Sequence, residues 1–198
     1  MNYLAHAYLS FGQPGVLTGN MISDFVKGKK KFDYPAEIRR GIALHRSIDQ
    51  FTDTHAATRE AKEVFRPAYR LYSGAFVDVV FDHFLASEEE IFTEEGLTQF
   101  SRYVFHTLDQ QTDHFPEKFA RMYPYMRDQN WLFHYRFKPG IEKSFGGLVR
   151  RAAYIDESET AYQLFEDNYQ LLQDCFRQFW PELRAFTLEI FKTGVKGI

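Results

Sequence analysis

Apolar residues along this chain recur with a period near 3.6 and seldom in strict alternation, a pattern of helices rather than strands. In residues 74–86, GAFVDVVFDHFLA, the positions Val77, Phe81, Phe84 and Leu85 fall at helical spacing. In residues 161–180, Tyr162, Phe165, Tyr169, Leu172, Phe176 and Phe179 do the same, predicting one long amphipathic helix. The acidic turn DESET, with Ser158 and Glu159, reads as its N-terminal cap region. Breakers are sparse and spaced like helix punctuation: GQPG (12–15), KGKKKFDYP (27–35), Pro67, Gly96, Pro116, Pro124, KPG (138–140), Gly146–Gly147 and Pro181. The expected fold is all-α, a single-domain bundle over residues 1–198 with about eight helices, short connections and no sheet.

Composition adds three constraints. With 44% apolar residues the 198-residue chain can bury an ample core, and 21 Phe with 12 Tyr predict a core filled by rings. The net charge of -3 gives no general attraction to nucleic acid or anionic membrane, and the basic residues form no aromatic-interleaved stripe. Charge is uneven: KGKKK (27–31) and Arg39–Arg40 are basic, while SEEEIFTEEG (87–96) is acidic. Cys175 is the sole cysteine, which suits a reducing cytoplasm. The start MNYLAHAYLSFG lacks a signal-peptide pattern, and no apolar run reaches the roughly 20 residues of a membrane span. The expectation is a cytoplasmic protein with neither nucleic acid nor membrane as partner, and either a monomer or a dimer is compatible with it.

Three segments place polar groups on otherwise apolar helices. In LHRSIDQFTD (44–53), His45 and Asp49 are four apart and share a face that Asp53 continues. Such a pair is either an ordinary surface contact or two ligands for one divalent cation. In DVVFDHF, Asp78 and Asp82 share a face among large apolar residues, while His83 points about 100° away. Two carboxylates beside a core require a cation, or arginines such as Arg46 or Arg70. In GNMISDFVKG, Asn20 and Asp24 are again four apart, and His6 sits in the apolar stretch YLAHAYL. Inward-facing groups from several helices are how all-α proteins build metal centres, and together these point to a metal-centred hydrolytic site. The cluster His106, Asp109, Asp113 and His114 lies in a glutamine-rich setting and reads as an exposed face. Phosphate-binding glycine loops, a cysteine zinc site and a nucleophile elbow are absent.

In order and spacing, MNYLAHAYLS, GNMISDFVKG, GIALHRSIDQFTDTH and DVVFDHFLA resemble the acyl carrier protein phosphodiesterase family, a divergent branch of the HD-type metal-dependent phosphohydrolases. The likeness continues more weakly through RMYPYMRDQNWLFHYR and GIEKSFGGLVRRA, so it spans most of the chain. Here the adjacent pair reads Asp82–His83, the reverse of the HD order. The resemblance implies an HD-like helical fold and hydrolysis of the phosphodiester between 4'-phosphopantetheine and a serine of holo-acyl carrier protein. It also implies Mn2+, or another divalent cation such as Mg2+, Fe2+ or Co2+. On both lines, His45, Asp49 and Asp82 are the expected metal ligands, with Asp24 and Asp78 completing or orienting the site. Arg46 is expected as a phosphate clamp, and His83 or His6 as acid or supporting group. Asn20 is assigned to the substrate, and Lys27, Lys29, Lys30, Arg39 and Arg40 to steering the acidic carrier protein. Two alternatives stay open: a nucleotide or (p)ppGpp-type phosphohydrolase on the same scaffold, and a non-catalytic module that binds carrier protein.

Overall fold

The computed structural model describes residues 1–193, so residues 194–198 of the expected domain lie outside the described residues. Among the described residues there are eleven α-helices and no strand. The N-terminal layer is α1 (Tyr3–Tyr8), α2 (Pro14–Ile22) and α3 (Ala36–Thr54). There follow α4 (Ala56–Tyr69), α5 (Ser73–Ser87), α6 (Glu94–Asp109), α7 (Glu117–Asp128), α8 (Trp131–His134) and α9 (Lys138–Val149). The chain ends in α10 (Glu159–Asp167) and α11 (Tyr169–Thr193). No helix among them is long and apolar enough to cross a membrane.

Helix α5 is the axis of the molecule because its sequence is apolar all round. Phe76, Val77, Val79, Val80, Phe81, Phe84 and Leu85 are all buried. Around it α1, α4, α9 and α11 pack. The aromatic content is used as the composition predicts: the ring of Phe76 lies 5.6 Å from that of Phe65 and 5.0 Å from Phe145. Phe81 lies 5.2 Å from Phe179 on α11. Each such ring taken from water contributes about 1.5–3 kcal/mol. The acidic stretch 87–96 runs from the end of α5 into the first turn of α6, where the Thr93 hydroxyl accepts the Gly96 amide at 3.0 Å and Glu94 and Glu95 complement the positive end of the helix dipole.

Several breakers do not break. Pro67, Pro124 and Pro181 lie inside α4, α7 and α11, and Gly146–Gly147 lie inside α9. The expected long helix over 161–180 is two helices, divided at Asn168, whose side-chain amide donates back to the Leu164 carbonyl at 2.9 Å. Ser158 holds no cap bond; Glu157 instead accepts the Thr160 amide at 2.9 Å.

The contact that positions the site is the crossing of α2 and α3. A Cβ on Gly19 would stand 2.0 Å from the Ile38 carbonyl oxygen, and one on Gly41 would stand 2.1 Å from that of Val16. Only glycine permits backbones this close. Asn20 and His45 follow those two glycines by one residue and one turn respectively, so the close crossing brings them together.

Candidate metal centre

His6 from α1 and His45 from α3 stack with ring centroids 3.9 Å apart and planes 15° from parallel. Beneath them lies Asn20 of α2, fully buried. Its amide nitrogen donates to the His6 carbonyl at 2.8 Å and to the Ser10 hydroxyl at 3.1 Å, which fixes its oxygen toward His6 Nδ1, 2.8 Å away. His6 Nδ1 therefore carries the proton and donates. The backbone carbonyl of the same residue accepts from His45 Nδ1 at 2.8 Å. One asparagine thus sets the tautomer of both imidazoles and leaves both Nε2 atoms as ligands.

Those Nε2 atoms face acceptors alone. His45 Nε2 lies 3.0 Å from Asp24 and 3.1 Å from Asp49. His6 Nε2 lies 3.3 Å from Asp49 and 3.2 Å from the Met1 carbonyl oxygen. Lone pairs converging on lone pairs require a positive charge between them. In the apo protein a proton supplies it: burial opposes charging of His45, yet its bonds to Asp24 and Asp49 carry it up to about 9. His6 shifts the other way, because burial and then the adjacent His45 charge disfavour its protonation. Burial would raise Asp49, but the two histidines hold it far below the ordinary carboxylate range. Asp24 is lowered chiefly by its bond to His45.

A divalent cation resolves the same conflict. One ligand atom each from His6, His45 and Asp49 lies within 4.8 Å of the others, and the two-imidazole, one-carboxylate set suits Mn, Fe, Co or Zn. The histidines are buried, but the side chains of Asp49 and Asp24 are 40% and 64% exposed, so the cluster opens to solvent on their side.

The other expected residues stand elsewhere. Asn20, assigned to substrate, has no exposed surface and serves the histidines instead. Asp82, expected as a ligand, is fully buried and accepts the backbone amides of Asn2, Leu4 and Ala5 at 3.3, 2.7 and 3.2 Å. It caps α1 from another helix, so its lone pairs are taken up by the otherwise unpaired first amides of that helix. Burial pushes Asp82 up to about 7, against the N-terminal ammonium and the Leu4 and Ala5 amides. Asp78 binds the Met1 amino group at 2.9 Å, and the Met1 carbonyl links that pair to His6. These partners are the N-terminus and backbone amides, in place of the arginines Arg46 and Arg70.

His83 lies off the cluster: its Nδ1 donates to the Tyr135 carbonyl at 2.7 Å, and Nε2 meets the Tyr169 hydroxyl at 3.0 Å. Asp53 does not continue the His45–Asp49 stripe into the site; it is exposed and paired with Lys62 at 2.8 Å. Arg46 is exposed beside the cluster and donates to the Val26 carbonyl at 3.2 Å, two residues beyond Asp24. Lys27, Lys29 and Lys30 are exposed in the turn after Asp24. Arg40 is drawn onto α11, where it lies 4.6 Å over the Phe191 ring and donates to its carbonyl. Arg39 is half-buried. Of the glutamine-rich group, His106, Asp109 and Asp113 are exposed and His114 is half-buried. Sequence reasoning missed the Met1 carbonyl and the glycine pair. The signal for the second was Gly19 beside Asn20 and Gly41 one turn before His45.

Residues 1–183 match the family model described as acyl carrier protein phosphodiesterase. The chain is similar to the acyl carrier protein phosphodiesterase of Klebsiella pneumoniae subsp. pneumoniae, 33% identical over 184 residues that cover 92% of this chain and 95% of that protein. It is similar to the Yersinia pestis protein of the same name, 32% identical over 184 residues, with 92% and 95% covered. It is also similar to that of Photorhabdus laumondii subsp. laumondii, 30% identical over 182 residues, with 91% and 92% covered. No solved structure gives a significant match.

Proposed function

Because this chain belongs to the acyl carrier protein phosphodiesterase family, we propose that it hydrolyses the phosphodiester joining 4'-phosphopantetheine to a serine of holo-acyl carrier protein. The products are apo-carrier protein and free 4'-phosphopantetheine. The observation that carries the chemistry is the convergence of His6, His45 and Asp49, both imidazoles presenting Nε2, at an opening beside Asp24.

A divalent cation held there, Mn2+ or a similar ion, supplies Lewis acidity toward a phosphoryl oxygen and toward water. The chain's own groups supply the rest. Asn20 keeps the proton on Nδ1 of each histidine, so both Nε2 atoms remain free for the cation. Asp24, ionised and open to solvent, accepts a proton from the attacking water. The water oxygen bonds to phosphorus, the bond from phosphorus to the serine oxygen breaks, and that oxygen takes a proton from solvent. Arg46, anchored at one nitrogen by the Val26 carbonyl, offers its remaining donors to the phosphate.

Lys27, Lys29 and Lys30 follow Asp24 in sequence and steer an acidic carrier protein toward the opening. Association should therefore slow as salt is raised. The single, buried Cys175 fits work in the reducing cytosol.

The test is mass spectrometry of holo-acyl carrier protein incubated with the purified protein and Mn2+, then with chelator. Loss of the phosphopantetheine mass only while the ion is present supports this reading. Intact carrier protein, with nucleotide esters hydrolysed instead, refutes it.

A further inference from the structure

Arg151 lies in the turn after α9 and is exposed. Its guanidinium has five donors, yet among the described residues it forms no ion pair; its Nη1 lies 3.8 Å from the weak Met122 sulfur, and its other polar neighbour is the Tyr3 hydroxyl, to which it hydrogen-bonds. The same sulfur accepts the Tyr3 hydroxyl at 3.5 Å. Tyr3 precedes His6 by three residues on α1, so one helical turn links the phenol to the metal centre. The phenol sits in the fields of two charges. Burial pushes it up to about 12, Arg151 draws it down, and Asp24 pushes it up again.

Arg151 also lines a half-open, largely apolar cavity of about 210 Å3, together with Phe76, Leu148 and Ile155 among others. Ala75 of that lining stands three residues before Asp78 on α5, and Asp78 holds the N-terminus whose Met1 carbonyl reaches His6. A chain of contacts along α5 and α1 therefore joins the cavity, with the arginine in its wall, to the metal centre.

A phosphodiester carries one negative charge and two non-bridging oxygens, which a guanidinium fork matches in charge and in geometry. We propose that Arg151, with the Tyr3 hydroxyl beside it, binds the phosphodiester of the substrate, and that the part of the phosphopantetheine arm next to the phosphate lies in the Phe76–Leu148–Ile155 cavity. This rests on the phosphodiesterase reading above and assigns the side of the site from which the arm is held. Arg46 then contacts the phosphate from the Asp24 side and Arg151 from the Tyr3 side.

The test uses the metal-loaded full chain. Losing a charged hydrogen bond to phosphate should raise KM for holo-carrier protein about 10- to 100-fold in Arg151→Ala, with Arg151→Lys between it and wild type. Inhibition by free 4'-phosphopantetheine should weaken by a similar factor, which a merely structural role would not produce. Ile155→Trp should weaken that inhibition while leaving inhibition by inorganic phosphate unchanged. Unchanged KM and inhibition in Arg151→Ala, or a fall in kcat alone, overturns the arginine assignment. Unchanged 4'-phosphopantetheine inhibition in Ile155→Trp overturns the placement of the arm. If wild type leaves holo-carrier protein intact, the phosphodiesterase reading itself fails. Calorimetric binding of 4'-phosphopantetheine then decides the arginine separately, and equal affinity in wild type and Arg151→Ala overturns it.

Discussion

His6 and His45 are 39 residues apart in sequence, yet their rings stack at 3.9 Å because Asn20 grips both Nδ1 atoms. Two imidazoles set face to face in a buried pocket would repel if both were charged, which burial and His45 prevent by holding His6 neutral. Their stacking makes chemical sense as a pair of Nε2 ligands directed at Asp49 from one side.

Asn20→Leu removes the side-chain acceptor and both donors while keeping the bulk. Loss of such a supporting partner weakens metal sites about 10- to 100-fold. Titration of the folded variant with Mn2+ should show that loss, and wild-type affinity would mean that His6 needs no help with its tautomer, the backbone carbonyl that serves His45 being kept.

The helical class was legible because the period of 3.6 is written in residues such as Val77, Phe81 and Phe84, which recur at helical spacing and are buried. The split at Asn168 was not, because Tyr169 and Leu172 keep the apolar rhythm on both sides of it. The proline positions misled in the opposite direction, since packing of α4, α7 and α11 outweighs a missing amide. At the site, His45 and Asp49 could be read as a pair from their spacing alone. Asp82 could not be separated from them, because an acid on an apolar helix looks the same whether it awaits a cation or the amides of another helix. Its partners are Leu4 and Ala5, 78 and 77 residues away in sequence.

That difference is measurable. Asp82→Ala leaves the amides at the start of α1 unpaired in the interior and should cost about 3–5 kcal/mol of stability. Denaturant unfolding should show the same loss with chelator as with metal. A variant of unchanged stability in chelator but without metal affinity would make Asp82 a ligand.

Gly41→Ala should be as damaging as a core substitution although it adds one methyl group, because that group meets the Val16 carbonyl at 2.1 Å. The crossing of α2 and α3 must open, at a cost of about 3 kcal/mol. Thermal melts report the loss, and an unshifted melting temperature would show that the helices are not held so close.

In the metal-free protein the pH response follows from His45. Its folded value near 9 lies above its unfolded value of 6.5, so its stabilising contribution is complete below 6.5 and disappears as pH rises through 9. His6 acts in a separate window: its folded value is lowered, so stability also falls as pH drops below 6.5 and the unfolded chain takes up the proton. Melts in chelator should therefore decline from about pH 6.5 to 9, and the decline should shrink in Asp49→Asn. Cation affinity should rise over the same range, since binding displaces the His45 proton.

The most direct test of the account is the conversion of holo- to apo-acyl carrier protein, followed by mass, by chelated and Mn2+-restored protein of wild type and of Asp49→Asn. Asp49 is partly exposed, so the variant should fold. Mn2+ should restore turnover to wild type, and the variant should stay inactive at every Mn2+ concentration. Turnover near wild type in the variant, or in chelator, would contradict it.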